Sequence, residues 1–151
     1  MNKFSKLFLA ILICEGAGFI GAIFTFNSVN TWYITLNKPF FNPPPWIFGP
    51  VWTILYLMMG ISLYLAWGTK KVSLKWFWVQ LVLNSLWSIL FFGLKNPTLA
   101  FLGIILLFLA IFMTMKSFWK YKRTASWLLV PYLLWVTFAS VLNASIVLLN
   151  R

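Results

Sequence analysis

Five apolar runs, at residues 7–26, 46–67, 76–94, 98–115 and 125–149, occupy most of this 151-residue chain. Each is close to the roughly 17–25 residues that an α-helix needs to cross a bilayer. Inside hydrocarbon every backbone N–H and C=O must find a partner within the protein, so runs of this length have to be helices. Composition excludes a soluble domain, because 62% of residues are hydrophobic, 9% are charged and the mean hydropathy is +0.91. Too little polar surface exists to cover such a chain in water. The expected fold is all-α, a polytopic membrane protein in which five transmembrane helices form a single domain. Lys3 and Lys6 ahead of the first run imitate a signal peptide, but that run is too long for one and Glu15 interrupts it, so it reads as a mature helix.

Twelve Lys and Arg face one acidic residue, for a net charge of +11. They are spread thinly between apolar runs and form no dense basic patch, which argues against nucleic acid and for the lipid bilayer as partner. Their distribution is lopsided. Lys3, Lys6, Lys70, Lys71, Lys75, Lys116, Lys120, Lys122 and Arg123 fall on the N-terminal side, against Lys38, Lys95 and Arg151 on the other. The positive-inside rule then puts the N-terminus in the cytoplasm and the C-terminus outside. Cys14 is the one cysteine and there is no His, so no intrachain disulfide and no ordinary zinc or haem ligand set is expected. No metal site, phosphate-cradling loop or nucleophile triad is expected either.

Polar side chains in lipid point toward partners or cavities, so they mark the inward faces. Gln80, Asn84, Trp87, Ser88 and Phe91 share one face of the third helix. Trp135, Phe138, Ala139, Leu142, Asn143 and Ile146 share one of the fifth, and Phe48, Trp52, Tyr56, Met59 and Gly60 form a stripe on the second. Any one face alone reads more readily as helix packing. Three together describe an enclosed site for a planar hydrophobe, in which rings supply stacking area and amides fix orientation. On the first helix Ala10, Cys14, Gly18 and Ala22 recur every four residues, a seam for close approach that serves either a homodimer or packing within the bundle. Glu15 is a functional candidate as an intramembrane carboxyl, with a neutral structural role the equal alternative.

The connection at residues 27–45 is long for a membrane bundle and ends in Pro43, Pro44 and Pro45. Its prolines exclude a helix interior, and Trp32, Tyr33, Phe40 and Phe41, with the adjacent Trp46, argue for order through burial or interfacial anchoring. It reads as a stiff lid over one mouth of the bundle, with Pro50 tolerated near the start of the second helix.

The segments "WYITLNKPFFNPPPWIFGPVWTILYLMMG" (residues 32–60), "QLVLNSLWSILFFG" (80–93) and "VPYLLWVTFASVLNAS" (130–145) resemble the signature segments of the tryptophan-rich sensory protein/translocator protein family, the peripheral-type benzodiazepine receptors. The resemblance covers nearly the whole chain. It implies a dimeric five-helix bundle whose cavity binds porphyrins such as protoporphyrin IX, and benzodiazepine-type or isoquinoline carboxamide ligands. It places Tyr33, Pro43, Trp52, Asn84, Trp87, Trp135, Phe138, Ala139 and Leu142 on that cavity. It also implies, for some bacterial members, light-dependent degradation of protoporphyrin IX through two tryptophans, here Trp52 and Trp135. "VLNASIVLLNR" lacks the Tyr of the cholesterol-recognition pattern of eukaryotic members, so cholesterol binding by that route is not expected.

The expected function is tetrapyrrole sensing, sequestration or transport, with the porphyrin as ligand or substrate and no cofactor required. Acid–base enzymology is disfavoured because Glu15 is the only acid and the lysines lie in loops. Photo-oxidative chemistry that uses the pigment's own excited state is the enzymatic alternative. A structural module built on the first-helix seam is a third. With no Arg- and Ser-rich transit segment, a bacterial plasma membrane is the expected location.

Overall fold

The computed structural model describes residues 1–151. Five helical spans are long and apolar enough to cross a membrane, and there is no strand. Helix α1 covers Lys3–Ser28, α2 Pro45–Trp67 and α3 Lys75–Ser88, which continues as a π-helical turn over Ile89–Gly93. Helix α4 covers Pro97–Trp119, and the fifth span consists of α5, Arg123–Trp127, followed by α6, Val130–Leu149.

The helix starts have local causes. The Asn2 side chain accepts from the Ser5 N–H at 2.7 Å to cap α1, and Asn96 accepts from the Leu99 N–H at 3.0 Å to cap α4. Pro45 and Pro97 stand in the first turns of α2 and α4, where a missing N–H leaves no carbonyl unbonded. Helices α1 and α4 each run four residues past the apolar stretches of the sequence, to Lys3 and to Trp119. Both extensions begin or end on Lys, a good helix former, and contain no Gly or Pro, so the helix does not stop where hydropathy does.

Two local expectations need correction. The fifth apolar run is not one continuous helix. Pro131 has no N–H for the Trp127 carbonyl, and the Leu129 N–H bonds instead to the Ser126 carbonyl at 3.0 Å, a tight turn that separates α5 from α6. Pro50 is not among the free donors of the α2 start, because α2 already begins at Pro45. The carbonyl left without its donor is that of Trp46, an exposed residue, so water or headgroups can satisfy it.

The helices close into a ring. Helix α1 packs on α2 and α3, α3 on α4, α4 on α5 and α6, and α2 on α5. The α1–α2 crossing is the tightest. A Cβ on Gly60 would lie 2.6 Å from the Ile11 Cα, and one on Gly18 would lie 2.5 Å from the Tyr56 ring. Ala10 and Cys14 are fully buried in the same core. Of the two uses open to the small-residue seam, packing within the bundle is the one observed for Ala10, Cys14 and Gly18.

This crossing predicts opposite effects for two glycines of similar helical context. Gly60→Ala should destabilise the bundle by about 1–3 kcal/mol, since the neighbour it meets is backbone and cannot move aside. Gly16→Ala, with nothing within 4 Å of its added methyl, should be neutral or stabilising by up to about 1 kcal/mol. Reversible unfolding in mixed micelles, followed by far-UV circular dichroism, reads both.

Candidate functional site

A hydrogen-bonded chain crosses the middle of the bundle. The Tyr56 hydroxyl on α2 donates to Asn84 Oδ1 on α3 at 2.8 Å, and Asn84 Nδ2 donates to the Tyr132 hydroxyl on α6. Tyr132 in turn donates to Gln80 Oε1 at 2.8 Å, and Gln80 Nε2 approaches Met59 Sδ at 3.9 Å. All of these side chains are buried, and no buried side-chain N or O atom in the protein lacks a partner. Their arrangement follows from the solvent, because a polar group in hydrocarbon is stabilised only by another one. Asn84, expected on the ligand face, therefore has both ends of its amide engaged by phenols.

Nearer the lid a second amide does similar work. Trp87 Nε1 donates to Asn143 Oδ1 at 3.0 Å, and Asn143 Nδ2 donates to the Pro97 carbonyl at 2.8 Å, joining α3, α6 and the start of α4. Trp87 stacks on Phe91 with ring centroids 5.3 Å apart, and the Phe91 and Phe92 centroids are 4.8 Å apart. In an unbroken α-helix, neighbours such as these point about 100° apart. The π turn over Ile89–Gly93, closed by the Leu94 N–H on the Ile89 carbonyl at 2.8 Å, brings both inward.

The lid descends onto these rings. Tyr33, in a short 3₁₀ turn over Tyr33–Thr35, is buried, with its ring centroid 5.7 Å from Phe92 and 6.2 Å from Phe91. Its hydroxyl donates to Asn42 Oδ1 at 3.0 Å. Burial pushes that hydroxyl above its ordinary value near 10 while the Asn42 bond opposes the shift, so Tyr33 is a neutral donor at physiological pH. Lys38 Nζ donates to the Tyr33 and Leu36 carbonyls at 3.0 Å each and lies 4.9 Å from the Tyr33 ring centroid. The lid is also tied to the chain's end. Asn150 Oδ1 accepts from the Asn37 N–H at 2.9 Å, and Asn150 Nδ2 donates to the Asn37 carbonyl at 2.8 Å.

The structure thus brings Tyr33, Trp87, Phe138 and Leu142 into one cluster, together with Phe41 and Phe48. Trp135 joins it through its neighbours, 5.4 Å from Phe138 and 6.1 Å from Phe48 by ring centroids. Trp52, Trp135 and Ala139 are half-buried at the edge of the larger core, and Trp52 lies 5.7 Å from Tyr56 and 6.3 Å from Tyr132. Pro43 is half-buried in the lid. Phe40 and Trp46 are exposed, rings at the rim and not under it, whereas Phe41 packs on Phe138 at 6.2 Å.

Sequence reasoning missed Tyr132, Phe92, Lys38 and Asn42. Tyr132 had a readable signal, since it continues the Trp135–Ala139–Leu142 stripe back by three residues. Phe92 had none, because its orientation depends on the π turn.

The fold and the site define a polytopic membrane protein with an aromatic, amide-bearing interior beneath a proline-rich lid. A family model described as the TspO/MBR family matches residues 10–149. The chain is 49% identical to the Tryptophan-rich protein TspO of Archaeoglobus fulgidus over 150 residues, which cover 96% of this chain and 97% of the relative. It is 46% identical to the Tryptophan-rich protein TspO of Chlorobaculum tepidum across 99% of both chains, and 36% identical to the human Translocator protein across 83% of this chain and 78% of that one. This chain belongs to the TspO/MBR family and is an integral membrane protein.

The phenol–amide chain makes Tyr132 a sensitive polar residue of the interior. Tyr132→Phe leaves both Asn84 Nδ2 and Gln80 Oε1 without their partner and should cost about 1–3 kcal/mol. Tyr121→Phe, at an exposed position, should cost under about 0.5 kcal/mol in the same micellar unfolding assay.

Proposed function

We propose that this protein binds a porphyrin, of the protoporphyrin IX type, in the aromatic interior under the lid, and that it acts in tetrapyrrole sensing, sequestration or transport. The carrying observation is the convergence of Tyr33 from the lid, Trp87 from α3 and Phe138 and Leu142 from α6 in one cluster, flanked by the half-buried Trp52 and Trp135. Rings from three separate elements suit a flat apolar ligand, which gains by stacking on several faces at once. Benzodiazepine-type and isoquinoline carboxamide ligands, smaller planar hydrophobes, fit the same chemistry. The names of two relatives, Tryptophan-rich sensory protein and Translocator protein, agree with sensing and with transport respectively. With Asn84 and Asn143 engaged inside the protein, the rings and not the amides carry the ligand in this reading.

Light-driven loss of the bound pigment is the second reading. Trp52 is in ring contact with both Tyr56 and Tyr132, two phenols already joined through Asn84, which gives an oxidised tryptophan nearby groups to exchange electrons and protons with.

Orientation and pairing belong to the same proposal. The basic end of the bundle faces the cytoplasm of a bacterial cell. Glu15 lies twelve residues from the start of α1 and thirteen from its end, about 18 Å and about 20 Å by helical rise. It shares a face with the exposed Phe8, Leu12, Phe19 and Ile23, so it points toward hydrocarbon at mid-depth and cannot reach water. A second copy packed isologously on this face would bring the two carboxyls together, where one proton can bridge them.

Titration of the lipid-reconstituted protein with protoporphyrin IX in the dark should quench tryptophan fluorescence saturably. The Trp52→Ala/Trp135→Ala double variant should bind about tenfold more weakly or worse. Identical non-saturating curves for both would reduce the aromatic cluster to packing. Under illumination Trp52→Phe should keep binding and slow pigment loss, and an unchanged rate would remove Trp52 from that chemistry. Leu12→Cys should form a disulfide-linked dimer in membranes under mild oxidation. A dimer band with Leu102→Cys on α4, and none with Leu12→Cys, would move the interface off α1.

A further inference from the structure

Far from the lid, on the membrane-facing side of the opposite end, α4 and the fifth span leave an open groove of about 380 Å³. Its walls are Phe112, Met115, Trp119, Trp127, Val130 and Leu133, with Lys116 at the edge. Its one hydroxyl, on Ser126, is already committed as a donor to the Met115 carbonyl at 3.0 Å. Polar recognition in the groove is thereby left to cations and to the indole N–H donors of Trp119 and Trp127, all of which favour an anion or an acceptor. Arg123 supplies a second cation, its guanidinium 5.0 Å from the centre of the Trp119 ring, and Trp119 meets Trp127 edge to face at 5.9 Å. The Trp pair thus forms a wall whose one rim carries a positioned guanidinium.

Charge and depth narrow the occupant. This is the basic end, where the Lys6 Nζ donates to the Trp67 carbonyl at 3.5 Å and the Ser117 hydroxyl to the Ser73 carbonyl at 3.2 Å, so the three Lys-bearing segments meet. Glu15, the only acid, lies at the middle of α1, so no carboxylate of the chain stands near Lys116 or Arg123. Tryptophans at such a level match the water–lipid boundary, with the apolar groove running inward from it. A free phosphate has no use for the apolar walls, and a neutral lipid has none for the cations at Lys116 and over Trp119. A second copy in parallel orientation would set like charges against each other.

We propose that this groove is a binding site for an anionic diacyl phospholipid, with the phosphate held between Lys116 and Arg123 and one acyl chain laid along Met115, Val130 and Leu133. Recognition is by headgroup charge and chain together, as in basic pockets between helices at membrane surfaces. The site is separate from the aromatic interior under the lid and does not depend on what binds there.

The test uses the full chain in micelles doped with equal amounts of phosphatidylglycerol and phosphatidylcholine, and native mass spectrometry to read which lipid stays bound. The wild type should retain phosphatidylglycerol preferentially. Lys116→Gln/Arg123→Gln should lower that retention by about tenfold or more, the removal of two surface charges. Lys70→Gln/Lys71→Gln, at the same end but off the groove, should leave it unchanged. All four positions are exposed, so the variants should fold, and circular dichroism confirms it. Equal retention of the two lipids, or an equal loss in both double variants, would overturn the site in favour of a diffuse surface field. Displacement of lipid by a second copy, seen as lipid-free dimers that Trp127→Ala dissociates, would overturn it as well.

Discussion

Asn84 has no water to turn to. Its carbonyl accepts a hydrogen bond from Tyr56 and its amino group donates one to Tyr132, which fixes α3 against α2 and α6 at one level. In hydrocarbon such a set is all or nothing, since losing one member strands the next in a medium that cannot replace it. The position of Trp52, beside Tyr56 and Tyr132, is inherited from this arrangement. So is the register of α6, which then carries Trp135, Phe138 and Leu142 toward the lid. The aromatic interior is therefore positioned by a polar chain that lies below it.

Close packing on α1 supplies the complementary constraint. Without hydrophobic drive between helices in lipid, association rests on van der Waals contact and backbone approach. Gly60 lets α2 meet the α1 backbone at Ile11, Gly18 makes room for the Tyr56 ring, and the Ser85 hydroxyl donates to the Ala17 carbonyl at 2.8 Å to tie α3 to the same helix. The small-residue seam looked equally suited to a second chain because periodicity reports that a face is narrow and says nothing of who fills it. What remains outward on α1 is the Phe8–Leu12–Phe19–Ile23 face with Glu15 among its residues, a lipid-facing stripe with one group that does not belong in lipid.

The helices were legible because length and hydropathy in a membrane leave a single solution for the backbone, and the inward faces because polar residues in lipid must converge. Gln80, Asn84 and Asn143 all proved to be buried and bonded. Their partners were less legible, since a hydrogen bond between residues 84 and 132 leaves no mark at short range. The π turn was illegible for a related reason. Nothing in "SILFFG" distinguishes a π from an α continuation, and it is fixed by tertiary contacts, including the Ser28 hydroxyl on the Phe92 carbonyl at 2.7 Å and Phe24 against Gly93. The break between α5 and α6 was readable at Pro131 and was overlooked because the apolar run continues through it.

The lid shows how a segment without regular structure can be held as firmly as a helix. Its prolines reduce the number of conformations to be lost, and Lys38 and Asn42 then bind its carbonyls and its buried tyrosine from within. The Asn37–Asn150 pairing adds a contact of a different kind, because Asn150 directly follows α6. Helix α6 thus carries Trp135, Phe138 and Leu142 on its inner face and the lid's anchor at its end. Movement of α6 that widened the aromatic cluster would pull on the lid, and lifting the lid would release Tyr33 from Phe91 and Phe92. The lid and the inner face of α6 are therefore anchored to one another at both ends.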